Sequence, residues 1–220
     1  AYQLIEGEKR EPYLGIVMNY TSQAELGQQP RIETSSLPLQ KEKIGLSFFG
    51  AGNYATASLL PPLQDSAKVD FRGLVTASGR TAQGVAKQFG FKFCAADFNE
   101  LLTADTDAIV VTTRHDSHAK SVIAALTGQK HVYVEKPVAL RVDELLEIDA
   151  AHKKNPSLQL MVGFNRRFAP STLEVIKHFE LVKTPKIVNI RVNAGSIPAD
   201  HWIQDPKEGG GRLIGEGCHF

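Results

Sequence analysis

Ile44-Gly45-Leu46-Ser47-Phe48-Phe49-Gly50-Ala51-Gly52-Asn53-Tyr54-Ala55 reads as a strand that runs directly into a G-x-G-x-x-A turn and then a helix. The apolar run bounded by glycine suits a strand covered on both faces. The first glycine, Gly50, permits a tight turn, and Gly52 lets the backbone approach a pyrophosphate. The small Ala55 allows helix and strand to pack closely, and the free N–H groups of Asn53 and Tyr54 at the helix start face the phosphate charge. A purely structural βα turn is the other reading of the same residues. The strand before it and the helix after it favour dinucleotide binding.

Outward from this stretch, strand and helix signals alternate. Pro61-Pro62 is expected to end the first helix. Val69 to Thr76 is a second strand, followed by a helix from Thr81 to Phe89 closed by Gly90. Phe91-Lys92-Phe93 is a short third strand, and Asp97 caps a helix running through Leu102. Ala108 to Thr112 and His131 to Val134 are the next strands, with a helix from Ser117 to Leu126 between them. An amphipathic helix, Leu140 to Lys153, leads to a sixth strand, Leu158 to Val162. The fold class is α/β, a Rossmann doubly wound parallel sheet.

The flanks differ. Residues 1–20 read as the tail of a preceding domain and 21–42 as a polar linker, with Gln28-Gln29-Pro30 and Ser35-Ser36-Leu37-Pro38. Residues 43–163 form the dinucleotide-binding domain. After Gly163 come a helix (Ser171 to Leu181) and an alternating β run (Ile187 to Val192), so 164–220 reads as the truncated start of a substrate or sheet domain. No internal repeat is found. The chain is expected to be a fragment of a longer protein, able to bind cofactor but with little activity alone.

Composition narrows the function. Lys+Arg is 25 against 24 Asp+Glu, which gives no electrostatic case for nucleic acid or an acidic membrane. No apolar run approaches the ~18 residues of a membrane span, and no signal-peptide pattern opens the chain. Cys94 and Cys218 lack C-x-x-C spacing, so neither a disulfide framework nor a metal site is expected, and the cytoplasm is the expected compartment.

Glu135-Lys136-Pro137 puts a lysine at the carboxyl end of a parallel strand, where open α/β sheets bind ligands. In isolation it would be a solvated loop lysine. The second strand ends Leu74-Val75-Thr76-Ala77-Ser78-Gly79-Arg80, with no acid for the ribose hydroxyls. Thr76, Ser78 and Arg80 suit a 2′-phosphate, so the cofactor is NAD or NADP. Arg80 reads equally as a solvated first-turn residue.

Together, Gly50-Ala51-Gly52, the Thr113 to His118 segment, Glu135-Lys136-Pro137, Gly163-Phe164-Asn165-Arg166-Arg167-Phe168, and Gly209-Gly210-Gly211 leading to Gly217-Cys218-His219 resemble the glucose-fructose oxidoreductase / inositol dehydrogenase / rhizopine catabolism family. The resemblance covers roughly Lys43 to Phe220. It implies a Rossmann domain followed by an α/β domain whose open sheet carries the substrate and often the subunit contact, hence a homo-oligomer for the full-length protein. It places Lys136 beside the nicotinamide and the reacting carbinol, with Thr112, Thr113, Glu135 and Arg167 on the cofactor side. It gives His118 a place in the pocket floor, where the residues alone allow a helix-start histidine bonded to backbone. It makes His219 the general base and the substrate a sugar-like small molecule.

Two departures stand out. The family's Thr-Pro-Asn reads Thr113-Arg114-His115, and its acid four residues before the catalytic histidine is Gly215, with Glu216 one position later. Whether Glu216 replaces that acid is open. Residues 1–20 have a weaker likeness to the closing helix and strand of a medium-chain zinc-type dehydrogenase, implying a fusion parent. Trp202 reads as a sugar-stacking platform or a core anchor, and Arg166 and Arg167 as carboxylate partners or, for one of them, substrate-facing. The expected activity is hydride transfer between NAD(P) and a hydroxyl of a sugar, nucleotide sugar or polyol. The alternative is a dinucleotide-binding sensor or scaffold without turnover.

Overall fold

The computed structural model describes residues 31–35, 42–77 and 79–220. Strands β1 (Ile32–Glu33), β2 (Ile44–Phe49), β3 (Val69–Val75), β4 (Phe93–Ala95), β5 (Ala108–Val111), β6 (His131–Val134) and β7 (Leu160–Val162) form one sheet in the order β1-β4-β3-β2-β5-β6-β7. Every pairing is parallel except β1 on β4, where Ile32 lies opposite Cys94. Helices α1 (Leu60–Gln64), α2 (Gly79–Phe89), α3 (Asn99–Thr103), α4 (His118–Thr127) and α5 (Val142–Lys154) lie between the strands; α6 (Pro170–Glu180) and α7 (Gly211–Gly215) follow β7. The direction of winding reverses between β2 and β5. Such a switch point opens a crevice at the carboxyl ends of the strands.

Strand alternation divides the core in two. Val75, Ile109, Val111, Val132 and Val134 face Val122, Leu126 and Ile148 of α4 and α5. On the opposite face Phe48, Phe71, Leu74 and Val110 meet Leu60 and Phe89. There the Phe71 and Phe91 rings stack with centroids 4.7 Å apart, and Phe48 meets both edge-on. Each fully buried side chain of this size contributes about 1.5–3 kcal/mol. Cys94 is buried in the second cluster, where desolvation raises its thiol pKa.

Pro61-Pro62 does not end the first helix. A π-helical turn, Ala55–Leu59, precedes α1, and the Leu60 N–H reaches back to the Ala55 carbonyl. Both prolines therefore fall in the first turn of α1, where a missing N–H costs nothing. Within the stretch read as a linker, Ile32–Glu33 adds an antiparallel edge strand; two residues carry no periodicity to reveal it. Ile187 to Val192 is not a strand: Ile187 is 91% and Val188 66% exposed. Alternation marks an apolar face, but a strand also needs a neighbour to accept its hydrogen bonds. Residues 1–30, with the resemblance to a zinc-type dehydrogenase, lie outside the described residues. No helix among the described residues is long and apolar enough to cross a membrane.

Candidate active site

A cleft of about 1180 Å³ opens at the switch point. Its inner wall is the turn after β2. Gly50 has φ +104°, and a Cβ there would lie 2.7 Å from the Thr112 backbone. The Thr112 hydroxyl donates to the Gly50 carbonyl at 3.0 Å, fixing the turn to the end of β5. Gly52 differs: a Cβ there would meet nothing within 4 Å. Protein packing does not require this glycine, but a ligand lying on the backbone would. Asn53, Tyr54, Thr76, Thr113 and His118 line the same space. These residues fit a dinucleotide, with the pyrophosphate on the Gly50–Ala55 turn.

The other end of the cleft carries titratable groups. Lys136, in a cis peptide with Pro137, donates from Nζ to the Gly215 carbonyl of α7. Its neighbour Glu135 turns to a different partner and accepts from the Tyr133 hydroxyl at 2.7 Å. Burial, then the Glu135 hydrogen bond, pushes the Tyr133 phenol pKa up. Gly163 makes room for this pair: a Cβ there would meet Tyr133 Oη at 2.6 Å and Glu135 Oε1 at 2.7 Å.

His118 is fully buried, with Nδ1 2.7 Å from the Pro137 carbonyl and Nε2 3.0 Å from the Thr113 carbonyl. Carbonyls only accept, so a neutral ring donates to one of them. The ring ties the Thr113 loop to the Lys136-Pro137 turn. Its contribution to the floor is shape.

His115 is also buried. Its Nδ1 lies 2.8 Å from the Gly209 carbonyl, and its ring meets Trp202 nearly perpendicularly at 4.9 Å. Desolvation is the main cause holding its pKa below the ordinary value. His219 lines the cleft, and its buried Nδ1 has no hydrogen-bond partner among the described residues. Its pKa is lowered as well, by desolvation first and then by Lys136 and Arg166.

The structure thus brings Gly50, Gly52, Asn53, Tyr54, Thr76, Thr112, Thr113, His118, Glu135, Lys136 and His219 to one cleft. Arg167 is not among them. It is exposed, with Nη2 3.4 Å from the Val162 carbonyl and its guanidinium over Phe168. Its motif neighbour Asn165 reaches the cleft instead and donates to the Tyr54 hydroxyl at 2.8 Å. The short turn Asn165–Phe168 turns consecutive side chains to different sides, which the motif does not specify. Ser78 and the side chain of Arg80 lie outside the described residues. Glu216 accepts from Arg212 Nε and Nη2 at 3.1 and 2.8 Å, so its carboxylate is engaged on its own helix and not on His219. Asn165 and His115 also stand in the cleft, beyond the residues expected there from the sequence. Both lie inside motifs of the resemblance, His115 in Thr113 to His118 and Asn165 in Gly163 to Phe168.

A family model described as an oxidoreductase family with an NAD-binding Rossmann fold, that of the glucose-fructose oxidoreductase / inositol dehydrogenase / rhizopine catabolism proteins, matches residues 44–164, more than half of the chain. The chain belongs to this family. Among its relatives in the family, a 4-carboxy-2-hydroxymuconate-6-semialdehyde dehydrogenase of Sphingobium is 33% identical over 129 residues, 57% of this chain and 40% of that protein. An inositol 2-dehydrogenase of Saccharopolyspora erythraea is 30% identical over 124 residues, 55% of this chain and 37% of that protein. The crystal structure of an NAD-binding protein from Listeria innocua is 28% identical with TM-score 0.68, over 80% of this chain and 52% of that one. The chain therefore spans about half or less of the length of these relatives. The NAD-binding fold of the family agrees with the cradle at Gly52.

Proposed function

We propose that the full-length protein oxidises a hydroxyl, or reduces the matching carbonyl, of a sugar, nucleotide sugar or polyol with NAD(P). The observation that supports this most is a single cleft holding the Gly50–Ala55 turn at one end and Lys136 at the other. When bound, the nicotinamide supplies a hydride acceptor or donor. The turn after β2 holds the pyrophosphate through backbone N–H groups. Lys136 donates a hydrogen bond to the carbinol oxygen and offsets the negative charge that develops there. A cleft imidazole takes the hydroxyl proton, a role that the family resemblance gives to His219.

The test is steady-state turnover by the full-length protein with a panel of sugars, nucleotide sugars and polyols, read by cofactor reduction. Cofactor binding without turnover on any of them would instead support a sensor or scaffold. That second reading draws on Gly215 and on the engaged Glu216, which leave His219 without a carboxylate partner. Cofactor choice rests on the missing acid after β3. NADP is expected to bind at least as well as NAD in calorimetric titration, and a large preference for NAD would reverse this.

A further inference from the structure

No partner among the described residues fixes the tautomer of His219. Its buried Nδ1 has none there, and Lys136 opposes a positive charge on this ring as it does on that of His115. His115 is arranged differently. The Gly209 carbonyl can only accept, so the 2.8 Å contact fixes the proton on Nδ1 and leaves Nε2 as a bare acceptor. Nε2 makes no hydrogen bond to the described residues, and His115 lines the cleft. A Cβ on Gly215 would lie 3.1 Å from His115 Cε1, and Lys136 Nζ bonds to the carbonyl of the same Gly215. The imidazole packs, together with Ile203, against the place where a Cβ on residue 215 would stand. The two departures from the family pattern, His at 115 and Gly at 215, are thus neighbours in space.

We propose that His115 Nε2, held in its acceptor tautomer by the Gly209 carbonyl, accepts the proton of the substrate hydroxyl polarised by Lys136. This rests on the oxidoreductase reading above. The O–H bond breaks, its proton goes to Nε2, and its electron pair becomes the second bond of the new carbonyl. The hydride on the same carbon leaves to the oxidised nicotinamide. The charged and titratable groups around His115 are Asp116 on its own turn, His118 at the head of α4 and Lys136 after β6; Asp116 favours protonation and the other two oppose it. The ring is therefore neutral and ready to accept near neutral pH.

Two measurements test this. In nitrogen-15 NMR of histidine-labelled protein, with the His115 signals assigned by their loss in His115→Asn, the expected result is a protonated Nδ1 and a bare Nε2; a protonated Nε2 overturns the proposal. In the full-length enzyme, using the substrate found by the screen, His115→Asn should lower kcat by roughly 100- to 10,000-fold and remove the acid limb of the kcat/KM pH profile. His219→Asn should keep that limb even if the rate falls. Loss of the limb in His219→Asn but not in His115→Asn overturns the proposal. Full turnover by Lys136→Met would instead overturn the underlying reading. If His115→Asn does not fold, His115→Gln replaces it in the kinetics, and the His115 signals are assigned in wild-type protein through their coupling to the backbone.

Discussion

His115 Cε1 lies 3.1 Å from where a Cβ on Gly215 would stand, although the two residues are 100 positions apart. Ile203 Cδ1 closes the same space from another side at 3.0 Å. Position 215 is therefore packed against two side chains, either of which must shift to admit a methyl group. Gly215→Ala should destabilise the chain by about 1–3 kcal/mol, as overpacking does. In a His115→Ala background the same change should cost less, with a coupling of about 0.5–3 kcal/mol between neighbours in contact. Urea unfolding of the four proteins of this cycle measures it, and strict additivity would mean that the two positions are independent.

Gly52 should behave in the opposite way. Since a side chain there enters open space, Gly52→Val should leave stability within about 0.5 kcal/mol of the parent. It should nevertheless weaken NAD(P) binding at least tenfold, by filling the pyrophosphate cradle. Thermal melts and calorimetry on the same sample separate the two effects. Unchanged affinity would remove the dinucleotide from this turn.

Replacing Lys136 by methionine should keep the fold and most of the cofactor affinity, because the turn at Gly50–Ala55 is untouched. Turnover by the full-length enzyme should fall roughly 100- to 1000-fold, the loss usual for one donor to developing charge. Near-parental turnover would return Lys136 to the rank of an ordinary loop residue.

The two histidines with lowered pKa also predict how stability responds to acid. Both have an ordinary value of 6.5 and are harder to protonate when folded. The unfolded chain therefore binds more protons below about 6.5, and stability falls as pH drops through that value until the folded pKa is passed. Each ring contributes at most about 1.4 kcal/mol per pH unit in that window. Unfolding free energies from pH 8 to pH 5 should show this decline, and it should be shallower in His115→Asn. An identical slope in the variant would mean that His115 titrates as freely folded as unfolded.

Much of the fold was legible because buried parallel strands write themselves as apolar runs; Ile44–Phe49 and Ala108–Val111 needed little else. Pro61-Pro62 misled because proline stops a helix from inside but opens one from its first turn, and the π-helical turn that decides between these leaves no residue pattern. Ile187 to Val192 misled because alternation describes one strand whereas pairing takes two. The placement of Gly50, Gly52 and Lys136 in one cleft was readable because it follows from residue type and local spacing at strand ends. The relation of His115 to Gly215, and that of Asn165 to Tyr54, depends on which chain segments the sheet brings together. Neither is written locally.

The hydrogen bond from Tyr133 to Glu135 has a consequence for charge. Adjacent in sequence, Glu135 and Lys136 carry opposite signs, yet the carboxylate is held by a phenol and the ammonium by a carbonyl. The cation in the cleft is therefore not neutralised by its own neighbour. This separation depends on the absence of a side chain at Gly163. Adding a methyl group there would dislodge the carboxylate and free it to pair with Lys136. The cation would then be neutralised by its own sequence neighbour, with no substitution among the residues that line the cleft.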